Sequence, residues 1–277
     1  MRTLDTELAT VPGVVSVWYG PPGGPAAYRR EADATHYAAS TMKLALLAAL
    51  HRAADAGTVD LDAEMEVRNE FISAAPGGPR FACRQDYDND DAVWDRLGRP
   101  ATLRWLAQRM IVRSSNLAAN LVLAEVGRPA VDEVWRSVGA RHSVVGRGIE
   151  DAPAAEAGIT NLVTAADLAT LLGAIASGTA ASPGSCRTML DTLLAQERSE
   201  DLAAGLPAGT RTAHKNGWID GVRLSAGIVY PDDAPPFVLT VGATTPWATS
   251  GRDDEACQLV ARIAARAWAA RHEGTGT

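Results

Sequence analysis

The apolar positions of this chain change period twice. Near the start, Val14-Val15-Ser16-Val17-Trp18-Tyr19, the breakers Pro21-Pro22-Gly23-Gly24 and the stretch Ala26 to Glu31 read as strand, turn and strand. Residues 2–10 predict a short helix ahead of them. From Ser40 the run Thr41-Met42-Lys43-Leu44-Ala45-Leu46-Leu47-Ala48-Ala49-Leu50 is apolar nearly all round, which predicts a helix buried on every side and ending near Gly57. Arg68 to Pro100 is polar and irregular. Helical spacing returns at 101–110, 115–126 and 130–138, is absent at 146–160, and resumes at 164–176 and about 183–196. Thr164 is placed to cap its helix, with Asp167 three positions on as an acidic variant of the capping box. The last third switches back to strands, at Thr212 to Trp218, Val222 to Tyr230 and Phe237 to Ala243, and a helix over about 252–270 closes the chain.

Strands at both ends with helices between them predict an α+β fold: one antiparallel sheet built from both chain termini, flanking helices, and an inserted all-helical region. The expected organisation is a single unit over 1–277, with an α/β subdomain formed by 1–38 and 185–277 and a helical subdomain over 39–184. No internal repeat, low-complexity segment or interdomain linker interrupts it.

Composition narrows the function. A net charge of -7 over 277 residues offers no basic surface for phosphate backbones or anionic lipids, so nucleic acid and membrane partners are not expected. No apolar run approaches the roughly eighteen residues of a membrane span, and Met1 to Tyr19 lacks the order of an export signal, so a cytoplasmic location is expected. Cys83, Cys186 and Cys257 are far apart and odd in number, and read as packing residues rather than a disulfide framework or zinc site.

Of the 26 basic residues, only Lys43 and Lys215 are lysines. Arginine stays protonated, whereas a lysine amine can be tuned to give and take a proton, so the two lysines are suspects for chemistry. Ser40 precedes Lys43 by one helical turn, which puts a hydroxyl and an amine on one face. A serine needs a base within hydrogen-bond reach to become a nucleophile, and a desolvated lysine can serve. A helix start also offers N–H groups suited to an oxyanion.

Further along stand Arg113-Ser114-Ser115-Asn116-Leu117-Ala118-Ala119-Asn120 and His214-Lys215-Asn216-Gly217-Trp218. Ser-x-x-Lys, Ser-x-Asn and Lys-x-Gly in this order resemble the three motifs of class A β-lactamases and penicillin-binding proteins. The resemblance runs from the first helix to the last, including Asn161 to Leu168 and Ala226 to Tyr230, and looks most like the β-lactamase-related serine hydrolase branch. It implies Ser40 as nucleophile, Lys43 as its base, Ser114 as proton relay, Asn116 as partner of the substrate's acyl amide, and Lys215 as positive potential near Ser114. Gly217 would let substrate approach the strand, and the N–H groups of Ser40 and Trp218 would form the oxyanion hole.

There are departures from the pattern. Asn216, also assigned to substrate binding, stands where the family usually has Thr or Ser. Ala226 stands where many members carry an arginine for the substrate carboxylate, and Arg223, three positions away, points to the other face of a strand. Ser115 replaces the more usual Asp. Glu150 is the candidate for the deacylating carboxylate, with a solvated loop acid as the other reading. His214 either tunes Lys215 or is satisfied by a neighbouring backbone group. Asp86-Tyr87-Asp88-Asn89-Asp90-Asp91 lacks the glycine and glutamate of a calcium loop and reads as an acidic surface loop.

The resulting expectation is a serine hydrolase that cleaves a small-molecule amide or ester, β-lactams included, through an acyl-Ser40 intermediate, without metal or cofactor. Alternatives are a cytoplasmic biosynthetic peptidase, esterase or transacylase with little β-lactamase activity, or a non-catalytic binding protein on the same fold.

Overall fold

A computed structural model describes residues 4–251 and 253–273. Five strands, β1 (Val14–Gly20), β2 (Tyr28–Arg30), β3 (Arg211–Ile219), β4 (Val222–Tyr230) and β5 (Phe237–Thr244), form one antiparallel sheet in the order β3-β4-β5-β1-β2. The two ends of the chain meet where β1 pairs with β5, in register from Val14 opposite Thr244 to Gly20 opposite Val238. β3 and β4 are joined by a two-residue turn in which Gly221 takes φ +82°.

Strand alternation sends side chains to two cores. Val17, Val229, Leu239 and Val241 pack with Leu4 and Leu8 of α1 (Leu4–Leu8) and, near the C-terminus, with Leu259, Val260 and Ile263. On the other face Ala213, Leu224, Ala226 and Ile228 join the larger helical core. At its centre lies α2 (Lys43–Asp55), whose residues from Lys43 to His51 are all buried, as its apolar circumference predicts. It packs against α3 (Leu103–Val112), α4 (Asn116–Val126), α5 (Arg128–Val138) and, beyond α6 (Ala165–Ala176), α7 (Pro183–Leu194). The C-terminal helix is α8 (Glu255–Ala269). The fold is α+β, as expected, with each long element within a few residues of its predicted place.

Several local expectations change. The helix expected from Ser40 opens instead as a tight 3₁₀ turn, Ala39–Met42, that runs into α2. The aperiodic stretch 146–160 contains a short helix, Ala152–Glu156. Thr164 does cap α6, its Oγ1 accepting from Asp167 N at 3.0 Å. The Asp167 carboxylate, however, does not complete a capping box. It accepts from Arg141 N (3.0 Å), His142 N (2.8 Å) and Ser143 Oγ (2.9 Å), where it satisfies the turn after α5 that would otherwise leave donors unpaired. The three cysteines are free and buried. Among the described residues no helix is long and apolar enough to cross a membrane. Residues 2, 3 and 252, included in the expected terminal helices, lie outside the described residues.

Candidate active site

The 3₁₀ turn sets Ser40 directly before α2, and Lys43 is the first residue of that helix. The Lys43 amine lies 3.0 Å from Ser40 Oγ, 2.8 Å from Ser114 O, 3.2 Å from Ser114 Oγ and 2.9 Å from Asn116 Oδ1. Two of these atoms, the Ser114 carbonyl and the Asn116 amide oxygen, can only accept, whereas the hydroxyls can donate. A neutral amine satisfies both acceptors with its two N–H groups and keeps its lone pair for the Ser40 hydroxyl. The electrostatics agree. Complete burial pulls the Lys43 pKa from 10.5 down to about 7, against the upward pull of the Asp88 and Glu150 charges. Ser114 reaches this position with φ +62°, a left-handed backbone conformation that serine rarely adopts.

Asn116 is committed at both ends, since its Nδ2 donates to Tyr87 O at 3.1 Å. One amide hydrogen stays available for a substrate, because the NH₂ group carries two. Below it, Asp88 Oδ2 accepts from Ser115 Oγ (3.2 Å), Asn116 N (3.1 Å) and Leu117 N (2.8 Å), so a carboxylate sits on the N-terminus of α4. Asp90, 3% exposed, is paired with Arg109. The acidic run is therefore not simply a surface loop: Asp88 is tied to the start of α4 and Asp90 to Arg109 of α3. Ser115 leaves the start of α4 without a carboxylate of its own, and Asp88 supplies one from the neighbouring loop. Sequence reading missed both roles, because their partners lie 19 and 27 to 29 residues away with no local pattern to connect them.

The β3 residues are arranged differently from expectation. Lys215 is fully buried and donates to Asn216 O (2.6 Å) and Asn216 Oδ1 (3.4 Å). Burial, and then the charge of Lys43, pull its pKa well below the ordinary value. Asn216 is also fully buried, opposite Ser225, whose Oγ donates to the buried Asp201. Residues opposite one another in an antiparallel pair share a face, so the Asn216 side chain sits behind the strand, on the face that carries Ser225. Gly217 is needed for a different close approach from the one expected. A Cβ there would lie 2.7 Å from Ser40 N and 3.0 Å from Thr41 N, so its bare α-carbon makes room for the nucleophile's own turn. His214 Nε2 meets Arg198 O at 2.8 Å, the backbone-satisfied reading. Ala226 is buried in the core, and Arg223, on the opposite face, pairs with Asp254 at 2.9 Å.

In front of Ser40 lies a cavity of about 850 Å³ lined by Asn116, Glu150 and Trp218 among others, and not by Lys215, Asn216 or Gly217. Glu150, φ +62°, accepts from Arg84 N at 2.9 Å through Oε2. Its Oε1 is buried without a hydrogen-bond partner among the described residues. Partial burial raises its pKa, with the Arg84 hydrogen bond opposing. Glu150 is thus a cavity-facing carboxylate rather than a freely solvated one, with an oxygen atom uncommitted.

A family model described as the β-lactamase enzyme family matches residues 1–270. The chain belongs to that family. It is 29% identical over 252 residues to a β-lactamase of Streptomyces fradiae, covering 88% of this chain and 78% of that protein. Against a β-lactamase of Streptomyces albus G it is 31% identical over 193 residues, covering 66% and 62%, so the match spans less than two thirds of that relative. The solved β-lactamase of Sphaerobacter thermophilus DSM 20745 superposes with a TM-score of 0.78 at 26% identity over 97% of this chain and 95% of that one. An ancestral class A β-lactamase gives 0.80 at 23% identity over 97% and 98%, a likeness that shows the shared fold.

Proposed function

We propose that the protein works as one catalytic unit, a serine hydrolase of the class A β-lactamase type that opens an amide or ester, a β-lactam among the candidates, through an acyl-Ser40 intermediate. The observation that carries this reading is the Lys43 amine 3.0 Å from Ser40 Oγ with its pKa drawn down to about 7, where an amine is neutral often enough to be a base. Lys43 takes the hydroxyl proton as Ser40 Oγ attacks the carbonyl carbon, and the oxyanion forms against the N–H groups of Ser40 and Trp218. Ser114, whose Oγ is 3.2 Å from the same amine, passes the proton to the departing nitrogen or oxygen. Lys215, the second buried amine, is electrostatically coupled to Lys43 and adds positive potential to that relay when it is protonated. Glu150 then takes a proton from the water that hydrolyses the acyl-serine, a role its uncommitted Oε1 and raised pKa support.

Intact-mass spectrometry after incubation with penicillin and with a fluorophosphonate tests this. Ser40 should gain the mass of each probe and Ser40→Ala should gain neither. In Glu150→Gln the penicilloyl adduct should persist where the wild type clears it. Unmodified protein with both probes would overturn the reading.

A further inference from the structure

We propose that the Ser40 cavity favours a substrate that bears a positive charge, an ammonium-carrying ester or amide, over one whose only charge is a carboxylate. The proposal rests on Ser40 being the nucleophile. Its basis is the balance of charge around the cavity. Asp86, Asp88, Glu150 and Asp220 line it, against Arg147 as the one lining cation among the described residues. Asp86 is offset by its pair with Arg84. That leaves Glu150 and Asp220, neither in an ion pair among the described residues, and Asp88, whose charge is met in part by the N-terminus of α4; Asp220 is exposed and accepts from Ser250 Oγ at 2.7 Å.

Arg147 is poorly placed to reverse that balance. Its guanidinium is half-buried, donates to Tyr37 Oη (3.0 Å) and Gly148 O (3.3 Å), and stacks 5.5 Å from the Tyr37 ring centroid. The positions that would offer a carboxylate anchor are spent elsewhere, since Asn216 lies behind the strand and Ala226 is in the core. Nor do the lysines repair the deficit, because Lys43 must be neutral for attack to begin and Lys215 does not line the cavity. Tyr37, Tyr87 and Trp218 also line the walls, and aromatic faces attract ammonium groups. A cleft lined by one sign of charge concentrates the opposite sign and repels its own.

The test compares p-nitrophenyl esters of 6-aminohexanoate, hexanoate and adipate, matched in length and differing in terminal charge, by kcat/KM and by mass of the Ser40 adduct. The cationic ester should exceed the anionic one by about tenfold or more, with hexanoate between. Raising the salt concentration should shrink that ratio in the wild type, and Asp220→Asn, an exposed substitution, should narrow it at low salt. Equal rates, a faster adipoyl ester, or a cationic preference indifferent to both salt and Asp220→Asn would overturn the proposal. The two failures are separable. If hexanoate acylates the wild type and not Ser40→Ala while the charge order is flat or reversed, only the substrate inference falls. If the fluorophosphonate labels Ser40 and none of the esters does, the substrate inference falls alone; if none of these probes labels Ser40, the nucleophile assignment falls and takes this inference with it.

Discussion

Asp88→Asn removes one negative charge while keeping an oxygen where Ser115, Asn116 and Leu117 donate. Two quantities should move. The first is stability: α4 loses a favourable charge at its positive end, about 0.3–1 kcal/mol, and charge-assisted hydrogen bonds become neutral ones, so a total of about 1–3 kcal/mol is expected. For a chain of this size that lowers Tm by roughly 2–5 °C. The second is the pH dependence of acylation. Burial pulls Lys43 down to about 7, and Asp88 is the largest of the charges holding it up. Without that charge the pKa falls further. Lys43 must be unprotonated to take the Ser40 proton, so the rate climbs with pH through the Lys43 pKa. The climb should therefore begin at lower pH in the variant. Stopped-flow acylation by an uncharged ester across the neutral range reads this directly, and the variant should be relatively faster on the acid side. An unmoved limb, or one displaced to higher pH in a variant that still folds, would show that Lys43 is not the titrating base or that Asp88 does not govern it.

Three further outcomes follow from the same geometry. Gly217→Ala places a methyl group 2.7 Å from Ser40 N, so it should cost about 1–3 kcal/mol in denaturant melts and slow acylation about a hundredfold by displacing the nucleophile's turn; wild-type kinetics would refute the close approach. Ser40→Ala and Lys43→Arg should each remove nearly all turnover, and the double variant should be no worse than either, as measured by kcat with contaminating activity excluded. Asp167→Ala strips the acceptor from Arg141 N, His142 N and Ser143 Oγ and should destabilise by about 2–5 kcal/mol in a urea titration; a loss under about 0.5 kcal/mol would mean water replaces the carboxylate at no cost.

What the sequence makes legible is whatever is written within one turn or one strand. The all-round apolar run gave α2 its burial, alternation gave β3 to β5, and a spacing of three residues put Ser40 beside Lys43. The joining of Lys43 to Ser114 and Asn116, 71 and 73 residues on, was readable only through the family's motif order. Where position depends on tertiary packing with no such pattern, the reading fails. Asp88 and Asp90 look like any solvated acids until the start of α4 and Arg109 are brought to them. Asn216 stands among motif residues, yet a strand turns each successive side chain to the opposite face, and its side chain lies on the Ser225 face. Gly217 announces a close approach without saying to what. Asp167 fits a local rule but is drawn off by better donors after α5.

The pairing of β1 with β5 places Val14 beside Thr244, so the sheet is incomplete until most of the chain exists. Ser40 emerges early in synthesis, but the strand that backs its turn, β3, comes some 170 residues later and is held flat by β4 and β5. Contacts so distant in sequence form slowly. A nascent or C-terminally truncated chain can therefore carry Ser40, Lys43, Ser114 and Asn116 and still lack a reactive serine. Reactivity toward an acylating probe becomes a reporter of chain closure, appearing only as the last strands dock.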